Sequence, residues 1–277
     1  MNSSYQCIPC FLRQSIEAVS KITQDPCVIE KCIRRILHET SEFDFSKSPP
    51  EMGQVIHQIL REESGNPDPY LEIKHQSTQY AVEMAHEASL SIQNSEDPFT
   101  TALYYAIAGN VMDFALSTTW DSNKLWKTFE QVKSVIPNKE MVLQLKNELM
   151  NANQVLYIGD NAGETVFDRL FIEYFPKKNK VFYAVKNSPI INDATLIDAQ
   201  EAQIHTIATL LSNGNNTPGT VLEKCSPEFI EIFNKADVVI AKGQANFETL
   251  HPSTRNIYHL TQIKCPVIAE HYQYPLG

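Results

Sequence analysis

Residues 155–170 read VLYIGDNAGETVFDRL, and the order of residue types within them points to the fold. Val155, Leu156, Tyr157 and Ile158 make an apolar run of strand length. Gly159-Asp160-Asn161-Ala162-Gly163-Glu164 interrupts it, and a helical pattern begins after Glu164. A strand, a polar turn and a helix in that order are the opening of a βαβ unit. Asp and Asn are poor strand residues, so backbone stability gives little reason to set an acid and an amide side by side where a strand ends. A metal ion or an anionic group would give one.

The same texture continues towards the C-terminus. KVFYAVK (180–186), DVVIAKG (237–243) and CPVIAEH (265–271) are further apolar runs of strand length, too uniformly apolar for a sheet with one wet face. Helical stretches lie between them at 164–175, 194–203 and 226–235, the last opened by Ser226-Pro227-Glu228 with its capping hydroxyl, proline and early acid. Strands alternating with helices predict an α/β fold, a mainly parallel sheet covered on both faces. Residues 1–150 read differently. Their only glycines are Gly53, Gly65 and Gly109. Leu12, Ile16 and Val19, and again Ile29, Ile33 and Ile36, recur at i, i+4, i+7. Asp25-Pro26 reads as an N-cap and first helical residue. Segments 52–63, 70–92, 98–117, 122–134 and 138–151 extend the helical pattern between breakers such as SKSPP and SGNPDP. The expected division is a helical bundle over 1–150 and an αβα domain over 151–277.

Composition narrows the function classes. A chain of 277 residues, 43% hydrophobic, can bury one large core or two ordinary ones. A formal charge of −10 without a lysine or arginine cluster argues against a nucleic-acid binder. No apolar run approaches the roughly 20 residues of a membrane helix. The first residues, MNSSYQCIPCFLRQS, lack the pattern of a secretory signal. Six cysteines in a chain this long do not make a disulfide scaffold, and the expected compartment is the reducing cytoplasm.

Three polar clusters fall where strand runs stop, the edge at which open parallel sheets bind ligands. They are 159–164, then Lys186-Asn187-Ser188-Pro189-Ile190-Ile191-Asn192-Asp193-Ala194-Thr195, then Lys242-Gly243-Gln244-Ala245-Asn246-Phe247-Glu248. Carboxylate and amide oxygens are hard ligands suited to magnesium- or manganese-like ions. Two Asp and one Asn would leave a divalent site neutral before phosphate arrives. Lys242 could neutralise a phosphate oxygen, and amides opening the helix after Asn161 could cradle others. Each cluster also has an ordinary explanation, as a turn, an N-cap or a solvated lysine. GxGxxG is absent at these strand ends, which argues against a dinucleotide fold. Asn110 and Asp113, three apart inside an apolar run, share a helical face that could close the pocket or make a buried interhelical hydrogen bond. Cys7-Ile8-Pro9-Cys10 supplies two thiols where structural zinc wants four; Cys265 could join them, while Cys27, Cys32 and Cys225 read as packed residues.

With these residues laid out, the chain resembles the metal-dependent damage-control phosphatases, long catalogued as a domain of unknown function, DUF89. It is similar to the group that begins with a CxPCxxRQ segment, here Cys7, Pro9, Cys10, Arg13 and Gln14. AGNVMDF, GDNAGE, PIINDAT, NNTPGT, ADVVIAKGQANFE and KCPVIAE follow the family pattern in the same order over nearly the whole chain. The resemblance implies a helical N-terminal portion and a Rossmann-like three-layer αβα portion with one divalent cation (manganese, cobalt, nickel or magnesium) on Asp160, Asn161 and Asp193. It implies Lys242 as a phosphate contact and a small phosphorylated metabolite, a sugar phosphate or a phosphopantetheine-type compound, as substrate. Asp160, Lys242 and Glu164 are the expected catalytic residues; Lys186, Asn110, Asp113, Gln244, Asn246 and Glu248 are the expected substrate contacts. Glu164 and Glu248 are alternatives for general acid or base, or for support of the ligands. The family's KGQGNFE is KGQANFE here, with Ala245 for glycine, and Lys186 stands where Arg is usual; the lysine lacks the planar fork that grips phosphate twice. The alternatives are a non-catalytic metal- or metabolite-binding module and, with a poorer match, a methyltransferase.

Overall fold

The computed structural model describes residues 1–111, 122–135 and 139–276. Its helices are α1 (Ile8–Ile22), α2 (Pro26–Ser41), α3 (Pro49–Ser64), α4 (Leu71–Gln93), α5 (Pro98–Val111), α6 (Ser122–Val135), α7 (Lys139–Asn151), α8 (Thr165–Ile172), α9 (Leu196–Glu201), α10 (Pro227–Lys235), α11 (Gln244–Leu250) and α12 (Pro266–Tyr272). The strands are β1 (Gln154–Ile158), β2 (Lys180–Val185), β3 (Thr209–Ser212), β4 (Val238–Lys242) and β5 (Tyr258–Leu260). They form one sheet in the order β3-β2-β1-β4-β5, with every neighbouring pair parallel.

The unbroken apolar runs are explained by what covers them. Alternate residues of a strand face opposite sides. Val155 and Tyr157, with Tyr183 and Ile240, join the core that contains α4, α5, α7 and α8. Leu156 and Ile158, with Ala184 and Val239, face Phe229 and Phe233 of α10 and Leu250 of α11. The expected αβα sandwich with a parallel sheet is therefore what forms. Among the described residues, no helix is long and apolar enough to cross a membrane.

One expectation is corrected. CPVIAEH is not a strand: Pro266–Tyr272 is α12, with Cys265 at its N-cap and proline at the first turn, where the missing N–H costs nothing. The remaining strands are the short edges β3 and β5. The buried apolar residues of the helical region fall into separate clusters. Phe11 and Val19 of α1, Cys32 and Ile36 of α2, and Met52, Ile56 and Leu60 of α3 make a core of their own. Helices α4–α7 instead share the core of the sheet. The first three helices thus form a cap with a cluster of their own.

Candidate metal and phosphate site

Strand order reverses at β1. The chain runs outward through β2 and β3, then crosses to β4 and β5 on the other side. The carboxyl ends of β1 and β4 thus flank a crevice, the usual ligand position in such sheets. Asp160 and Asn161 follow β1, and Gly243 follows β4. The loop after β2 returns to them: Ala194 N donates to Asp160 O at 2.7 Å, Ala162 N donates to Asn192 O at 2.9 Å, and Asn161 and Asp193 form an isolated antiparallel bridge. Main-chain bonds thereby hold Asp160, Asn161 and Asp193 side by side. Gly243 has φ +79°, and a Cβ there would stand 1.9 Å from Asp160 Oδ2, so only glycine lets the carboxylate lie across the end of β4.

These three residues line a cavity of about 380 Å³. Below it lies a buried polar network. Asp160 Oδ2 accepts from Asn110 Nδ2 at 3.0 Å and Asn161 Nδ2 at 3.2 Å. Glu164 Oε1 accepts from Asn161 N and Asn161 Nδ2, each at 2.8 Å, and from Asn110 Nδ2 at 3.0 Å. Its Oε2 pairs with Lys242 Nζ at 2.7 Å, and Lys242 reaches Asp168 Oδ1 at 2.5 Å. The Tyr157 and Tyr183 hydroxyls each donate to Asp168 at 2.7 Å. Lys186 Nζ donates to Gly219 O and lies 3.6 Å from Asp193 Oδ2.

The expected residues therefore separate into wall and floor. Asn110, Asp160, Asn161, Asp193, Gln244, Glu248 and Ala245 line the cavity. Lys242, Lys186, Glu164 and Asn246 are buried below it, and their polar groups face the protein. Lys242 is not against the cavity because Glu164 and Asp168 together hold its ammonium; burial opposes the charge, but the two carboxylates outweigh it and raise its pKa. Glu164 spends its carboxylate on Asn161, Asn110 and Lys242, the task of a residue that orients others. Asn246 donates to Gly159 O and Lys242 O and accepts from Thr220, tying the ends of β1 and β4 together. Gln244 donates to Glu248 Oε1 and accepts from the amides of Lys264 and Cys265. Ala245 lies within α11 without a positive φ, so its methyl adds to the wall and does not strain the chain. Asp113 lies outside the described residues.

Whether this arrangement suits a divalent cation can be tested on charge and orientation. Asp160, Asp193, Glu164 and Asp168 face Lys242 and Lys186, which leaves two negative charges uncompensated, the charge of one divalent ion. Burial first, then Asp193 and Glu164, push the Asp160 pKa well above the carboxylate range. Burial likewise lifts Asp193 to about 6, against Lys186. A cation between the two would remove that repulsion. Asp193 Oδ2 is buried, with the Lys186 ammonium 3.6 Å away. Because Asn161 Nδ2 is committed to Glu164 and Asp160, its carbonyl oxygen is the atom free to bind a metal. The donors are all hard oxygens. Among the described residues, no group of three or more His, Cys, Asp or Glu is placed to hold a metal; the set that fits here includes an amide.

The walls add residues the sequence reading did not assign. Lys264, with Nζ 3.4 Å from Asn110 O, is the one lysine or arginine among the described lining residues. It follows the short edge strand β5, where no apolar run marks the strand end. Gln6, Cys7, Cys10, Phe11 and Gln14 from the cap face the same cavity, as does Cys265. Cys32 and Cys225 are packed as expected, whereas Cys27 is exposed. Glu248 is buried, and loss of hydration raises its pKa to about 7, partly offset by Gln244 and the Met1 ammonium.

The family model for the damage-control phosphatase ARMT1-like domain matches residues 3–277. The chain is 35% identical to an uncharacterized protein of Methanocaldococcus jannaschii, over 98% of this chain and 92% of that one. It is 33% identical to the damage-control phosphatase PH1575 of Pyrococcus horikoshii, over 100% of this chain and 96% of that protein. With a damage-control phosphatase of Archaeoglobus fulgidus the identity is 30%, over 97% and 94% of the two chains. The crystal structure of a DUF89-family protein from Pyrococcus horikoshii matches with a TM-score of 0.90 at 33% identity, covering 100% of this chain and 97% of that one.

Proposed function

Because the chain belongs to the damage-control phosphatase ARMT1-like domain family, we propose that it hydrolyses a phosphate monoester of a small metabolite. In this reading a divalent cation (manganese, cobalt, nickel or magnesium) is held by Asp160, Asn161 and Asp193. The metabolite is a sugar phosphate or a phosphopantetheine-type compound, and the six unpaired cysteines suit a reducing cytoplasm. The observation that carries the proposal is the excess of acid at the sheet's switch point: Asp160, Asp193, Glu164 and Asp168 face two lysines, and Asp160 and Asp193 line the cavity.

When bound, the cation supplies Lewis-acid polarisation of the phosphoryl group. The protein's own groups account for the rest. Lys264, on the wall, offsets charge that develops on the phosphoryl oxygens. Lys242 and Lys186 act from below by fixing and neutralising carboxylates. Glu164 keeps Asn161 in the orientation that presents its carbonyl. Glu248 carries a proton near neutral pH and stands on the same wall, which suits it to protonate the departing oxygen. The cap helices supply one side of the cavity wall.

The test is phosphate release from a panel of phosphate esters with each of the four metals, by the wild type, Asp160→Ala and Lys264→Ala. Metal-dependent release that falls about a thousandfold or more in Asp160→Ala, and less steeply in Lys264→Ala, is the expected result. Calorimetric metal binding by a wild type that releases no phosphate from any ester would instead make the protein a binding module.

A further inference from the structure

Among the described residues, three non-glycine residues have positive φ: Ile191 (47°), Gln203 (61°) and Gln273 (56°). Two have ordinary causes. Gln273 caps α12, and Gln203 follows the C-cap of α9, positions where left-handed residues commonly end helices. Ile191 ends no helix. It is β-branched, the side-chain type least suited to this conformation, and it sits two residues before Asp193.

Its setting shows how the conformation is held. Asp193 N donates to Ile190 O at 3.0 Å, so Ile190–Asp193 is a tight turn with Ile191 at the first central position. Turns with a left-handed residue there normally use glycine. Here the flanks are fixed on every side. Ile190 is buried, and Arg61 of α3 donates to Pro189 O at 3.1 Å. Asn192 O and Ala194 N are bonded across to the loop after β1. The turn needs the left-handed backbone to bring Asp193 against Asn161, but glycine would supply that without strain. What isoleucine adds is its side chain. Ile191 lines the cavity beside Asp160, Asn161 and Asp193, and on its other side it meets the tightly closed packing of His57, Arg61 and Tyr70, which has no room for a water molecule.

We propose that Ile191 is a specificity-determining residue, retained in a strained turn because its side chain limits the space next to the reacting phosphate and so selects among leaving groups. Strain kept at one overdetermined position is a common mark of such sites. The assignment rests on the phosphatase reading above. A hydrophobic wall that loses several carbons changes discrimination between esters of different bulk by about 10-fold or more.

The experiment compares wild type, Ile191→Gly and Ile191→Val with para-nitrophenyl phosphate as the bulky ester and glycerol phosphate as the small one. Manganese affinity is measured alongside by calorimetry, without substrate. In Ile191→Gly the left-handed turn is kept, so manganese binds within about threefold of wild type. The ratio of kcat/KM for the bulky to the small ester rises about 10-fold or more. Ile191→Val, which keeps the branched side chain and loses one methyl, shifts the ratio the same way by less, and it decides the matter if the glycine variant does not fold. An unchanged ratio in a folded variant that binds manganese overturns the assignment. A wild type that binds manganese but hydrolyses neither these esters nor any of the panel overturns the phosphatase reading, and the assignment falls with it.

Discussion

Glu164 joins three parts of the site, and its replacement separates their contributions. Its Oε1 accepts from both Asn161 groups and from Asn110, and its Oε2 holds Lys242. In Glu164→Gln the buried ammonium keeps only Asp168, and the new amide can meet Asn161 with a donor where an acceptor is required. Manganese affinity should fall about 10- to 100-fold in calorimetry. A thermal melt should show destabilisation of about 3 kcal/mol from the half-broken ion pair. Glu248 gives a pH signature. Burial raises its pKa from 4.5 to about 7, so the folded protein keeps a proton that the unfolded chain releases between those values. The stability this contributes is fully present below pH 4.5 and is lost as pH rises through 7. Glu248→Gln should melt with a flatter profile between about pH 5 and 8, gaining up to about 2–3 kcal/mol relative to wild type at the alkaline end. At this scale the sequence reading picked out the acids and amide that the fold brings together, because such residues at strand ends stand out. It could not tell wall from floor. Lys242 and Asp160 both close strand runs, and only the packing of α8 with Asp168 against β4 decides that the lysine points inward.

Among the elements, the strand ends and their glycine are the part most sensitive to a small change. A methyl at Gly243 meets the Asp160 carboxylate and must also adopt φ +79°. Gly243→Ala is therefore expected to weaken manganese binding at least 10-fold while β1 and β4 still pair, as seen by calorimetry with unchanged far-ultraviolet circular dichroism. Helix α3 latches the cap. Gln54 donates to Asn216 Oδ1 at 2.7 Å and accepts from Thr217 Oγ1 at 2.9 Å, and Lys224 pairs with Glu51 at 3.0 Å. The legibility of the elements follows their burial. Strands β1, β2 and β4 lie inside the sheet, so all but one end residue of each is apolar and the runs announce themselves. Strands β3 and β5 are short edges with partly exposed residues and no uniform run. Cys265-Pro266 opens a helix as readily as a strand, and of α12 only Ile268 is deeply buried, so its periodicity is faint.

At the scale of the molecule, the described residues form three hydrophobic clusters, one within α1–α3 and one on each face of the sheet, and the cavity is lined by both the cap and the strand ends. The change from helical to alternating texture is visible at Val155, but it marks where strands begin and not where a core ends. Helices α4–α7 precede the strands in sequence and cover them in space, a relation that no local pattern records. Separate cores open separately. Native-state hydrogen exchange should show the amides of α1 and α2 opening at lower free energy than those of β1, β2 and β4. Gln54→Ala should quicken exchange along α3 and leave the central strands unchanged. The seam also separates two tasks. The side chains that α1 and α3 present to the cavity belong to a cluster of their own, so they can be exchanged without touching the acids, amides and lysines at the strand ends.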